Sequence, residues 1–275
     1  MNSLPENPEA APELAGRPAP ELALAEALAP SPPPDPAWNG WDIARIFLMG
    51  MVAIFVTTLV LSLIVPGATF RQRANYLNAR PELLIMGQMV AYLALFAYMY
   101  ILVAKERRQP HFWKAVHWNW PAHIWVFLFW GVLMQATFLV IERFLPFPKE
   151  VPFEALFRRP YSVVLVAVFS TTLGPFMEEM FFRGFLYPVL KRRTGVMTAI
   201  VATALPFALM HAAQYGNSWA SVMLIFMVGV VLAMVREKKN SLAAAFLVHV
   251  AYNGTIVLLM FIATGGFRHL EKLSQ

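Results

Sequence analysis

The chain has no cysteine among its 275 residues, which excludes a disulfide framework, a thiolate metal site and a cysteine nucleophile. It is also poor in charge, since only 14% of its residues are charged, against about 25% in an ordinary soluble domain. The signatures GxGxxG, GxxxxGK[ST], GxSxG and HExxH are absent. The usual sequence signatures of soluble enzymes are therefore missing from the chain.

Apolar residues, in contrast, are abundant: they make up 59% of the chain, and the mean hydropathy is +0.56. The uncharged runs at 46–65 and 83–104 are long enough to cross a hydrocarbon core of about 30 Å as helices. Hydropathy predicts seven spans, at about 46–65, 83–104, 124–141, 161–177, 196–210, 219–235 and 242–263. The fourth should continue past Gly174-Pro175 to Leu190 as one kinked helix. The predicted fold class is an all-α, polytopic transmembrane bundle.

The regions outside these spans differ in composition. Residues 1–40 hold ten of the 21 prolines and six of the 16 acidic residues, and they predict a disordered acidic, Pro/Ala-rich tail. We divide the rest into three N-terminal transmembrane helices at 41–160, a four-span core at 161–265 and a short C-terminal tail at 266–275.

The net charge of +6 does not indicate nucleic acid, because the basic residues form short clusters between apolar runs. We therefore predict the lipid bilayer as a partner and no nucleic acid. With the N-terminus inside, ten bases flank the spans on the inner side and nine on the outer side, the inner ones in shorter loops. This slight bias predicts a multi-pass protein of the cell membrane with a cytoplasmic N-terminus.

Ionisable side chains within apolar spans are costly and are functional candidates by default. The strongest candidates, together with one amide, are Glu178, Glu179, Arg183, His211, His249 and Asn253. Glu179 and Arg183 have the i,i+4 spacing and order of an ion pair, whereas Glu178 is turned from its neighbour by about 100°. We expect a structural Glu179–Arg183 pair and a free carboxylate at Glu178.

The number of residues between each of these groups and the nearest basic turn predicts that they lie at a similar depth in the membrane. Glu178 and His211 lie at nearly equal separations on either side of the basic turn 191–195, and His249 and Asn253 follow the next basic turn. At about 1.5 Å per residue, all four reach a similar level. Polar residues that only join helices are the simpler alternative, but four matched positions on three helices favour a reactive site.

These residues form three motifs in order: Glu-Glu-x-x-x-Arg at 178–183, Phe-x-x-x-His at 207–211 and His-x-x-x-Asn at 249–253. The set resembles the CPBP intramembrane proteases, which include type II CAAX prenyl endopeptidases and Abi or bacteriocin-immunity relatives. The resemblance implies that Glu178 activates water, with the two histidines and Asn253 beside it. It covers about residues 178–253, or 161–263 with the helices that carry the motifs, and residues 1–160 match no family pattern.

The residue types suit peptide hydrolysis, which needs a base, a group that stabilises the oxyanion and a proton donor for the leaving amine. Glu178 can serve as base and donor, Asn253 and His249 can stabilise the oxyanion, and His211 can hold the water. Glu178, His211 and His249 also form a two-His, one-carboxylate set for Zn²⁺ or another divalent metal. Hydrolysis with a metal and hydrolysis without one both remain open.

The sequence thus predicts an intramembrane endopeptidase that cleaves a peptide or protein substrate, lipidated or not, near the cytoplasmic membrane face. Two alternatives are a non-catalytic scaffold or immunity protein and a proton-coupled transporter, although the polar pattern shows no internal repeat. We expect a polar funnel between the fourth, fifth and seventh spans that opens toward the turns at 191–195 and 236–240.

Overall fold

The computed structural model describes residues 35–148 and 160–269, and of these 80% are helical and none forms a strand. The α-helices in chain order are α1 Gly40–Ile64, α2 Phe70–Asn78, α3 Pro81–Ile101, α4 Phe112–Ala115, α5 Ile124–Glu142, α6 Pro160–Thr171, α7 Leu173–Glu179, α8 Tyr187–Thr194, α9 Val196–His211, α10 Trp219–Lys239 and α11 Leu242–Ala263. The predictions for residues 1–34 and 270–275 lie outside the described residues.

Seven of the described helical segments are long and apolar enough to cross a membrane, as predicted. They are Gly40–Ile64, Pro81–Glu106, Ile124–Glu142, Ser162–Thr194, Val196–Tyr215, Trp219–Lys239 and Leu242–Ala263. Large apolar side chains cover their outer faces, for example Phe47, Phe55 and Trp125 at 60%, 66% and 80% exposure. Such a surface suits hydrocarbon and not water, so the all-α transmembrane fold class is confirmed.

The fourth span is one long, irregular segment, as its sequence predicted. It is interrupted at Thr172, where φ is −126°, shortly before Pro175, whose ring and missing N–H disturb the preceding turn. Beyond Glu179 the backbone widens into a π-helical stretch, Met180–Leu186, and continues as α8. Gly195 ends it with φ of +81°, a conformation that residues with a side chain rarely adopt.

The start of α1 is anchored to this fourth span. Asn39 caps the helix in a capping box with Asp42. The Trp38 side chain is buried, its Nε1–H donates to the Phe185 carbonyl at 3.0 Å, and Arg192 donates to the Trp38 carbonyl at 3.2 Å. Trp38 and Asn39, which the sequence analysis placed in the tail, are therefore held against the bundle by one indole and one helix cap.

Helix α1 packs against α3, α5 against α11, and α9 against α10. The turns at Gly195 and Asn240 lie at one end of the bundle, here called the basic end. The start of α1 and the end of the second span lie at the same end, where an ion pair between Arg45 and Glu106 at 2.7 Å joins them. The segments 65–80 and 212–218 lie at the other end, here called the opposite end. This arrangement packs α7 against α11 and brings the last turn of α9 close to α7.

Candidate active site

The centre of the site is a carboxylate flanked by two imidazoles. Glu178 comes from α7, His211 from the last turn of α9 and His249 from α11. Glu178 Oε1 lies 3.8 Å from His211 Nε2, and its Oε2 lies 3.6 Å from His249 Nε2. The structure thus brings together three of the four groups that the sequence placed at one depth.

The outer nitrogen of each ring determines what the inner nitrogen can do. His211 Nδ1 lies 2.8 Å from the Phe207 carbonyl, and His249 Nδ1 lies 2.9 Å from Glu179 Oε1. Because both oxygens accept hydrogen bonds, Nδ1 carries the hydrogen in both rings, and a neutral ring presents the lone pair of Nε2 to Glu178. The oxyanion role predicted for His249 therefore requires its imidazolium form.

Glu179 and Arg183 form the predicted ion pair, with Arg183 Nη1 2.8 Å from Glu179 Oε1 and both side chains fully buried. Arg183 Nη2 also donates to the Gly229 carbonyl at 2.9 Å. The same Glu179 oxygen accepts from His249 Nδ1, a contact that the sequence did not indicate. The pair therefore orients a ring of the site as well as joining helices, much as carboxylates orient histidines in metal sites.

Asn253 lies one turn beyond His249 on α11. One N–H of its amide donates to the Ser170 carbonyl of α6 at 2.8 Å. The side chain is half-buried and lines the same cavity as Glu178. A second amide N–H is available to a substrate, which suits the predicted oxyanion role.

A cavity of about 300 Å³ joins these groups. Apolar side chains line most of it, and its polar lining includes Glu178, His211, His249 and Asn253. Sequence reasoning missed further polar lining residues, and the two on α3 are Gln88 and Tyr92. They are four residues apart in an otherwise apolar run, which was the available signal.

The direction of the cavity corrects one expectation. On α3 it is lined by the first turns, from Ile85 to Tyr92, and on α9 by the last turn and the following Gln214. From Glu178 it therefore extends toward the opposite end and not toward the basic end, where the funnel was expected. Between Glu178 and the basic end, the fourth span carries Met180, Arg183 and Phe185, and the side chains of all three are fully buried.

The predicted metal ligands Glu178, His211 and His249 meet at the cavity wall. In residues 35–148 and 160–269, no group of three His, Cys, Asp or Glu side chains is placed to hold a metal ion. The donor chemistry of Glu178, His211 and His249 nevertheless fits a divalent metal, because both Nε2 lone pairs face the carboxylate and both Nδ1 atoms have the partners usual for metal-bound histidines. The metal stays a prediction.

Comparison with known families supports the resemblance noted in the sequence. Residues 160–255 match the family model described as type II CAAX prenyl endopeptidase Rce1-like. This segment is similar to an Rce1-like domain. It contains all three motifs and confirms the predicted kinship with the CPBP proteases. No curated protein and no solved structure matches the chain.

Proposed function

We propose that this chain is an intramembrane endopeptidase of the CAAX type in which Glu178 activates the attacking water. The observation that carries the proposal is the Glu178 carboxylate at 3.6 and 3.8 Å from two imidazole Nε2 atoms, on the wall of a cavity within an Rce1-like domain. A carboxylate in such a place is a suitable general base.

The reaction uses the groups as their hydrogen bonds dictate. A water that contacts Glu178 and the free Nε2 of His211 gives its proton to the carboxylate while its oxygen attacks the peptide carbonyl carbon. The second N–H of Asn253 donates to the developing oxyanion. Glu178 then returns the proton to the leaving amine nitrogen, and the C–N bond breaks. Glu179 and Arg183 hold His249 in place throughout.

A divalent metal held by Glu178, His211 and His249 would supply Lewis acidity at the scissile carbonyl. Metal analysis of purified protein distinguishes hydrolysis with a bound metal from hydrolysis without one. A resident metal gives about one ion per chain that is lost in His211→Ala and His249→Ala. Metal-free protein whose activity withstands chelators supports activation by Glu178 alone.

The substrate proposed is a peptide or protein with an apolar segment, lipidated or not, that enters from the bilayer. The mostly apolar lining suits apolar side chains, and the family description adds prenylated CAAX peptides as a candidate class. Because the cavity extends toward the opposite end, we place cleavage near the membrane face that carries residues 212–218. This revises the predicted location at the face carrying the basic turns.

The test uses the full chain in detergent with a quenched peptide library and with CAAX peptides bearing or lacking a prenyl group. Wild type should cleave, and Glu178→Gln should fall below about 1% of its rate, since general acid–base groups contribute about 10²–10⁴-fold. Glu142→Gln, the same change in α5 at a residue that does not line the cavity, is the matched control.

Two results would contradict the proposal. Equal cleavage by wild type and Glu178→Gln would remove Glu178 as the base. No cleavage by folded wild type would favour the scaffold and transporter alternatives. Melting temperatures of all three proteins should agree, because glutamine keeps the shape of the glutamate it replaces.

A further inference from the structure

Two polar residues from outside the Rce1-like segment reach the active-site cavity. Gln88 and Tyr92 lie one turn apart on α3, and both line the cavity with Glu178. Gln88 Nε2 donates to the Tyr92 hydroxyl oxygen at 3.0 Å. The α3 helix precedes the matched residues 160–255, so the family motifs assign these two residues no role.

The geometry leaves the hydroxyl hydrogen of Tyr92 available. Its oxygen accepts from Gln88, and within residues 35–148 and 160–269 its hydrogen has no acceptor. The ring stacks on Phe169 of α6 with centroids 5.7 Å apart, which holds the phenol in place. A hydrogen-bond donor is thus presented to the cavity that Glu178 also lines.

The chemistry calls for such a donor. Peptide hydrolysis develops negative charge on the carbonyl oxygen, and fixed donors that meet this charge accelerate the reaction. The neutral histidines present lone pairs from Nε2, because their Nδ1 hydrogens are engaged by Phe207 and Glu179. Asn253 has already committed one N–H to the Ser170 carbonyl. Only the second amide N–H of Asn253 is then left to stabilise the oxyanion, so a further donor would be useful.

We propose that Tyr92 donates a hydrogen bond to the carbonyl oxygen of the scissile peptide and that Gln88 positions its hydroxyl group. The inference rests on the proposed peptidase function and extends the active site to the second span. Tyr92 keeps its proton throughout, so it makes and breaks no covalent bond. Gln88 acts through Tyr92 and is a positioning residue.

The test compares Tyr92→Phe with wild type on a peptide that wild type cleaves. The ring and its stacking on Phe169 remain, whereas the donor is lost. We expect kcat to fall about 10²–10³-fold, the usual loss for one oxyanion donor, with KM little changed. Tyr100→Phe, the same change on the same helix at a ring that packs on Phe112 outside the cavity, should behave as wild type.

Gln88→Leu should give a smaller loss of kcat, because the phenol remains but can turn away. Binding of uncleaved peptide separates transition-state from ground-state effects. Glu178→Gln with and without Tyr92→Phe should bind the peptide equally, because an oxyanion donor acts on charge that develops only during reaction.

Three outcomes would overturn the inference. Tyr92→Phe with the kcat of wild type, beside an inactive Glu178→Gln, would remove the donor role and leave the proposed function intact. Peptide binding weakened as much as kcat/KM would make Tyr92 a ground-state contact. A wild type that cleaves no peptide would overturn the proposed function and this inference together.

Discussion

Replacing Arg183 with alanine is the sharpest test of how the site is held together. The Arg183 guanidinium is fully buried, contacts Glu179 at 2.8 Å and donates to the Gly229 carbonyl at 2.9 Å. It also lies over the Phe207 ring at 4.5 Å. Its removal leaves a buried carboxylate whose remaining hydrogen-bond partner is the Nδ1–H of His249, and it takes a charged donor away from a carbonyl inside α10.

The expected cost follows from these contacts. Breaking a buried ion pair by removing one partner costs about 3–5 kcal/mol, and the lost hydrogen bond from the charged guanidinium to the Gly229 carbonyl costs about 1.5–3 kcal/mol. Because the two losses arise at one side chain, they are not additive, and we take a total of about 4 kcal/mol. At about 2–4 °C per kcal/mol, the melting temperature should fall by roughly 8–16 °C. Activity should fall with it, because His249 loses its orientation.

The assay is a thermal melt followed by the fluorescence of the chain's eight tryptophans. Lys191→Ala is the matched control, because its bridge to Glu237 at 2.8 Å lies at the surface, with side chains 43% and 25% exposed. Such a bridge is worth about 0–1 kcal/mol. If Arg183→Ala has the same melting temperature as the control but is inactive, the ion pair does not stabilise the fold and Arg183 belongs to the substrate site.

Two further predictions concern helix packing and topology. An alanine methyl at Gly131 of α5 would lie 2.6 Å from Ala251 Cβ, so Gly131→Ala should displace α11, lower stability by about 1–3 kcal/mol and reduce activity. Gly254→Ala, whose methyl meets no atom within 4 Å, should be neutral, and equal behaviour of the two variants would refute the close α5–α11 packing. In this cysteine-free chain an impermeant maleimide should label Ala68→Cys on intact cells and Thr194→Cys only after permeabilisation. The reverse pattern would place the cavity end in the cytoplasm.

Hydropathy alone determined the class of the protein and the number of its spans, because a chain in hydrocarbon must satisfy its backbone within each helix. Spacing within one helix determined the Glu179–Arg183 pair, because residues four apart necessarily share a face. The candidate residues could also be identified from sequence, since an ionisable group in an apolar span needs an explanation. These features all depend on residues that are close to one another in the sequence.

Only the tertiary structure decided how the helices turn toward one another. The spans are apolar on nearly every face, so no amphipathic pattern indicates which side of a helix meets its neighbour. The contact between Glu179 and His249, 70 residues apart, and the reach of Tyr92 into the site depend on those rotations. The direction of the cavity also depends on those rotations. Counting residues along the chain gives the depth of a group, but it does not show on which side of that group the packing leaves a cavity.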